Sequence, residues 1–287
     1  IGVGDLLDKV VSLLPEKRKD PYGEGVIKFC LIGQPNVGKS TLSNAILGEE
    51  RTIVSDIPGT TRDSIDTVFT RNQQKYVVID TAGIRKLGKI YESAEKYSVL
   101  RAMQAIERSD IAVLVLDGSK EITEQDKRIA GYARENNRAM IIVVNKWDIV
   151  QKDDKTMKEY TEKIKNNFQF LDFAPVIFLS ALNKQRIHLL LDEIDNVYEN
   201  FSRKIPTNIL NDILMDAILI NQPPLFNGNR IKLSYATQES TMPPSFVLFV
   251  NDEKHMHFSY LRYLENQIRN TFHFEGTPLK FILRKKE

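Results

Sequence analysis

Eight consecutive residues, Gly33-Gln34-Pro35-Asn36-Val37-Gly38-Lys39-Ser40, set two glycines, a lysine and a hydroxyl at fixed intervals. They follow an apolar run, Val26 to Ile32, and precede a helical run from Thr41 that closes at Gly48. Glycine lets the backbone turn sharply and aim successive N–H groups inward, and the helix N-terminus adds partial positive charge, so the loop is built to hold a phosphate. Lys39 can bridge the β- and γ-phosphates while the Ser40 hydroxyl holds Mg²⁺. Gln34, Pro35, Asn36, Val37 and Thr41 complete the cradle. A glycine turn with no ligand is the bland alternative, but strand, loop and helix stand in the order this chemistry requires.

Three further polar signatures follow apolar runs. Asp80-Thr81-Ala82-Gly83 closes the run Tyr76 to Ile79; a carboxylate there holds Mg²⁺, commonly through water, and Gly83 can offer its N–H to the γ-phosphate. Asn145-Lys146-Trp147-Asp148 follows Met140 to Val144. Asp148 can accept two hydrogen bonds from the N1–H and exocyclic amine of guanine. Adenine would leave that charged acceptor unpaired, at about 1–3 kcal/mol or more. Asn145 is expected to brace the loop and the Lys146 stem to cover the base. Ser180-Ala181-Leu182, after Val176 to Leu179, can add a backbone N–H to the guanine oxygen. Singly these are turn sequences; together, in this order, they specify GTP or GDP as ligand.

The elements that must position them are apolar strands alternating with helices. Ile111 to Asp117, Met140 to Val144 and Val176 to Leu179 are near-continuous hydrophobic runs, separated by helical stretches at Glu92–Glu107, Thr123–Asn136 and Met157–Phe168. That alternation predicts an α/β domain, a phosphate-loop doubly wound and mostly parallel sheet with ligands at the carboxyl ends of its strands. Arg51 to Asp63 reads as polar and turn-rich, followed by a strand from Ile65 to Phe69. From Pro206 the pattern changes. A helix at Asn208–Ile220, strands at Arg230–Thr237 and Phe246–Asn251, a helix at Phe258–Phe272 and a basic edge strand from Pro278 to Lys286 predict a small α+β domain.

With 287 residues, 42% hydrophobic and 27% charged, the chain has the make-up of a globular protein of two domains. No apolar run reaches bilayer length and no secretory signal opens the sequence, so a cytoplasmic protein without membrane partners is expected. Cys30 sits in an apolar strand and reads as a core residue; His188, His255, His257 and His273 form no metal-ligand pattern. The net charge of +2 is uneven, with eleven Lys/Arg against eight Asp/Glu from Phe201 onward. At the start, Leu6-Leu7-Asp8 repeats Leu190-Leu191-Asp192, which suggests that Val3–Val11 is the last helix of a preceding, similar domain.

Taken with Pro58-Gly59-Thr60-Thr61-Arg62-Asp63, the phosphate loop resembles the Era-like branch of the translation-factor-type GTPases, and the tail resembles the tandem GTPase family called Der or EngA. The resemblance implies a remnant helix and linker at 1–22, a Ras-like GTPase domain at 23–203 and a KH-like domain at 204–287, with the first GTPase domain of the same protein as a partner. It further implies that Thr61, or its neighbour Thr60, joins Ser40 and Asp80 on Mg²⁺, so that Lys39, Thr61, Gly83 and Asn36 carry the hydrolysis. Ile84 stands where Ras-type enzymes place a water-orienting glutamine, implying a low intrinsic rate. Related Era-like enzymes bind K⁺ near the asparagine equivalent to Asn36, implying potassium stimulation. The family implies action in assembly of the large ribosomal subunit, with ribosomal RNA as partner. The tail lacks the Gly-x-x-Gly loop of RNA-gripping KH domains, and a docking module without RNA contact is the rival reading.

Overall fold

A computed structural model describes residues 21–49, 52–55, 66–80, 94–226 and 229–285. The first part is a seven-stranded sheet in the order β2-β3-β4-β1-β5-β6-β7, built from β1 (Ile27–Ile32), β2 (Thr52–Ser55), β3 (Thr67–Arg71), β4 (Gln74–Ile79), β5 (Ile111–Asp117), β6 (Ala139–Asn145) and β7 (Val176–Phe178). β4, β1, β5, β6 and β7 run parallel, whereas β2 and β3 form an antiparallel edge. Helices α1 (Lys39–Leu47) and α5 (Ile187–Ser202) contribute Leu42, Ile46, Leu190 and Ile194 to the core on one face. On the other face α2 (Ala94–Arg108), α3 (Glu124–Glu135) and α4 (Thr156–Asn167) contribute Ile106, Ala130, Ala133 and Ile164. Along β1, Phe29 and Leu31 enter the first core and Cys30 and Ile32 the second, the period of two that makes a doubly covered strand read as one apolar run.

Where the sequence reading expected only turns between Arg51 and Asp63, Thr52–Ser55 form β2, paired with β3 from Thr52↔Arg71 to Ser55↔Val68. Its side chains explain the miss: Ile53 and Val54 are exposed, so no burial pattern marks this edge strand. β3 begins at Thr67, two residues later than Ile65. The Val3–Val11 helix expected near the start lies outside the described residues.

The second part holds α6 (Thr207–Ile220) and α7 (Phe258–Phe272) against a sheet of β10 (Leu233–Ser240), β11 (Ser245–Val250) and β12 (Lys280–Lys285). β10 and β11 are antiparallel and β11 and β12 parallel. Leu210, Leu214, Leu248, Leu264 and Ile268 are among its core residues. The single strand expected over Arg230–Thr237 is interrupted. Arg230 ends β9 (Asn229–Arg230), which pairs with β8 (Leu225–Phe226). Between β9 and β10 the Lys232 N–H donates to the side chain of Asn251 (2.8 Å) while the Lys232 carbonyl accepts the Asn251 N–H (3.1 Å).

The two parts are joined firmly. Gln238 accepts from the Ile205 N–H (2.7 Å) and donates to the Arg203 carbonyl (2.9 Å), holding the connection between α5 and α6. The turn after α7 reaches back to the first part: the Gly276 N–H donates to the Phe173 carbonyl (2.7 Å) and Asn200 donates to the Glu275 carbonyl (3.3 Å). Gly276 has φ +68, and a Cβ there would overlap the Val197 side chain. Among the described residues no helix is long and apolar enough to cross a membrane.

Candidate nucleotide site

The loop between β1 and α1 takes the shape its glycines allow. Gly33 (φ 136) and Gly38 (φ 100) lie where L side chains are strained, and a Cβ on them would strike the Val115 carbonyl and the Asn145 side chain. Gly38 is the N-cap of α1; no side chain caps the helix and its first turn holds no acidic residue. A helix N-terminus of this kind carries partial positive charge and favours an anion. Ser40 and Thr41 are exposed on that turn, as are Pro35 and Asn36 in the loop, while Val37 is buried. The Lys39 ammonium donates to the carbonyls of Gly33 (2.8 Å) and Gln34 (2.6 Å). Burial pulls its pKa down to about 8, opposed by the Asp126 carboxylate.

Asn145 ends β6 fully inside the protein and braces two loops. Its amide donates to the Val37 carbonyl (2.8 Å) and its oxygen accepts the Ala181 N–H (2.9 Å). That bond engages one of the N–H groups expected to face a guanine oxygen. Ser180 pairs with Gln185, and Leu182 is exposed. Lys146, at φ 59, donates to the Asn36 carbonyl (2.8 Å) and to Asp117 Oδ2 (2.7 Å). Trp147 is packed against Phe178 and Tyr160 rather than lining an open surface. Asp148 Oδ1 is buried and has no hydrogen-bond partner. Asp80 follows β4, next to β1 in the sheet, with φ 60. Thr60, Thr61, Thr81, Ala82, Gly83 and Ile84 lie outside the described residues.

Three residues that sequence reasoning passed over belong to this assembly. Asp117 ends β5 with its side chain 2% exposed. Burial pushes its pKa up, but hydrogen bonds from Lys146 and Ser119 prevail and hold it below the usual carboxylate value. Thr123 and Asp126 form a capping box at the start of α3, and Gln34 of the phosphate loop donates to Thr123 Oγ1 and to Asp126 Oδ2 (2.7 Å). The signals were present: an acidic residue ending an apolar strand, and Thr-x-x-Asp before a helix.

An oxygen-donor set of one hydroxyl, Ser40, and one carboxylate, Asp80, suits Mg²⁺, which keeps several waters and takes phosphate oxygens for the remainder. Among the described residues no cluster of three or more His, Cys, Asp or Glu could cage an ion without such help.

Residues 28–146 match the family described as "50S ribosome-binding GTPase", and residues 204–284 match the "KH-domain-like of EngA bacterial GTPase enzymes, C-terminal". The chain is similar over its whole length to the GTPase Der of Halalkalibacterium halodurans, 59% identical over 286 residues, and to those of a Geobacillus species (59%) and Bacillus cytotoxicus (55%). It spans 65–66% of the length of these relatives. A crystal structure of Aquifex aeolicus Era bound to GDP.AlF4- covers 91% of this chain and 93% of its own at 21% identity, with a TM-score of 0.47. With the phosphate loop, the Asn145–Asp148 loop and the α+β tail all accounted for along one chain, the protein belongs to the Der (EngA) family of GTPases.

Proposed function

We propose that this chain binds GTP and GDP and hydrolyses GTP as a molecular switch. The observation that carries this reading is the buried, unpartnered Oδ1 of Asp148, on a loop tied to the phosphate loop through Asn145 to Val37 and Lys146 to Asn36. A buried charged acceptor is costly unless a donor meets it, and the N1–H and exocyclic amine of guanine are such donors. Lys39 would leave the Gly33 and Gln34 carbonyls for the phosphates, and Ser40, Asp80 and Thr61 would hold Mg²⁺, which when bound neutralises charge developing on the phosphate oxygens. Gly83 would add its N–H to the terminal phosphate. Competition of unlabelled GTP, GDP and ATP against a fluorescent guanine nucleotide tests the reading; equal displacement by ATP and GTP would overturn it.

The finer reading follows from family membership. With Ile84 in place of a water-orienting glutamine, intrinsic turnover is slow, and K⁺ held with the help of Asn36 stimulates it. Equal turnover in potassium and sodium chloride at matched ionic strength would sink that idea. Residues 23–203 act as the second GTPase domain and 204–287 as the KH-like domain of a tandem enzyme in the cytoplasm, serving assembly of the large ribosomal subunit. The firm docking of the 273–277 turn on Phe173 and Asn200 favours a second role for the tail as an internal docking module. Co-sedimentation of the complete protein with ribosomal subunits, under GDP and under a non-hydrolysable GTP analogue, separates the two. Nucleotide-dependent binding lost on reversing the charges of Arg284 and Lys285 supports direct RNA contact by the tail.

A further inference from the structure

Asp66 stands just before β3, and its side chain is only 1% exposed. Its two oxygens serve different parts of the chain. Oδ1 accepts the backbone N–H of Asp80 (2.9 Å). Oδ2 accepts the hydroxyl of Tyr22, which precedes β1, and the guanidinium of Arg108, the last residue of α2. Three separate stretches therefore meet on one buried carboxylate. Such a group is retained only where its partners compensate its lost hydration. Here one partner is the residue placed to hold a metal. Asp80 has φ 60, a left-handed conformation that aspartate reaches more readily than most residues with a side chain, and the bond from its N–H to Asp66 holds the backbone there.

We propose that Asp66 is a positioning residue for the magnesium site: it fixes the backbone of Asp80, and so the carboxylate Asp80 presents, while Tyr22 and Arg108 fix Asp66. The inference rests on the reading that Asp80 holds Mg²⁺ beside the nucleotide. It also gives the segment before β1 a physical route to that site, since Tyr22 reaches Asp80 through a single side chain. Neither Asp66 nor Tyr22 touches nucleotide in this scheme; both act through Asp80.

The test is release of a fluorescent GDP from the full chain, measured across a Mg²⁺ titration and in EDTA. In Asp66→Ala the Mg²⁺ concentration needed to slow release rises about tenfold or more, the usual effect of losing an outer-shell partner, while the rate in EDTA stays that of wild type. Tyr22→Phe, which keeps the ring and removes only the hydroxyl, shifts the same titration in the same direction by about two- to tenfold, the equivalent of one hydrogen bond. Asp80→Asn serves as reference. If Asp80→Asn abolishes the Mg²⁺ dependence while Tyr22→Phe and any folded Asp66→Ala leave it intact, or change release equally with and without Mg²⁺, the positioning role is overturned and the nucleotide reading stands. If Asp80→Asn itself leaves the Mg²⁺ dependence unchanged, the reading of Asp80 falls and the proposal with it.

Discussion

The backbone N–H of Met140, the second residue of β6, donates to the carbonyl of Gly276 at 2.7 Å. β7 pairs with β6 only from Ile142 onward, so the turn that follows α7 takes the place of a sheet neighbour at this edge. Backbone hydrogen bonds thus link the two parts of the molecule, and Gly276 stands at the junction with its N–H on Phe173 and a positive φ.

Gly276→Ala is expected to destabilise the protein by about 1–3 kcal/mol, because the new Cβ overlaps Val197 and an L residue is strained at this φ. Urea denaturation measures the loss. Because Val197 is itself fully buried and its truncation has its own cost, a double-mutant cycle separates the causes: in a Val197→Ala background Gly276→Ala should cost less if overlap is the cause, and the same if backbone strain alone is responsible.

Asp148→Asn should weaken guanine nucleotide binding by about tenfold or more, since a charged acceptor for two donors becomes an amide with one donor face turned the wrong way. Xanthine nucleotides, which present an oxygen where guanine presents the exocyclic amine, should gain. Unchanged guanine selectivity in a competition assay would show that another group reads the base.

Asp117→Asn removes the anion that holds Lys146 and should lower stability by about 1–3 kcal/mol near neutral pH. The sign of its pH dependence follows from a folded pKa held below the ordinary 3.8: the stabilisation is fully present above the ordinary value and is lost as pH falls below it through the folded value. The difference in unfolding free energy between wild type and Asp117→Asn should therefore shrink as acid is added below that point and stay constant above it.

Asp126→Ala should cost about 1 kcal/mol through loss of the reciprocal half of the α3 capping box, the bond from the Thr123 N–H, and it also frees Gln34. A double-mutant cycle with Gln34→Ala, read as affinity for GDP, is expected to show coupling of about 0.5–3 kcal/mol. Strict additivity would mean that the Gln34 bond to α3 does not shape the phosphate loop.

The parallel centre of the sheet was legible because β1, β5 and β6 are buried on both faces and carry nearly unbroken apolar residues. β2 was not, since an edge strand with Ile53 and Val54 in solvent is held by its ladder to β3 rather than by its own burial. The strand, glycine turn and helix around Gly33–Ser40 and the bracing bonds of Asn145 were legible because such a turn and such a brace demand particular residue types at particular spacings. The partners of Asp117, Asp126 and Asp66 were not: an acidic residue ending an apolar strand and Thr-x-x-Asp before a helix mark the first two locally, but what a supporting carboxylate holds is defined by what lies beside it in space. Lys146 and Asp117 are 29 positions apart and Gln34 and Asp126 are 92 apart, and no local pattern records such distances.

The backbone bonds at Gly276 also bear on how the molecule can be dissected. A cut after Arg203 would strip Gly276 from β6, opening the sheet edge at the Met140 N–H and leaving the Phe173 carbonyl without its partner beside the otherwise buried Phe173 ring. Open edges next to apolar surface are templates for self-association. An excised 21–203 fragment should therefore precipitate or pair with itself at concentrations where the longer chain stays monodisperse, and soluble dissection would require carrying the 273–279 turn, or a substitute for it, along with the sheet.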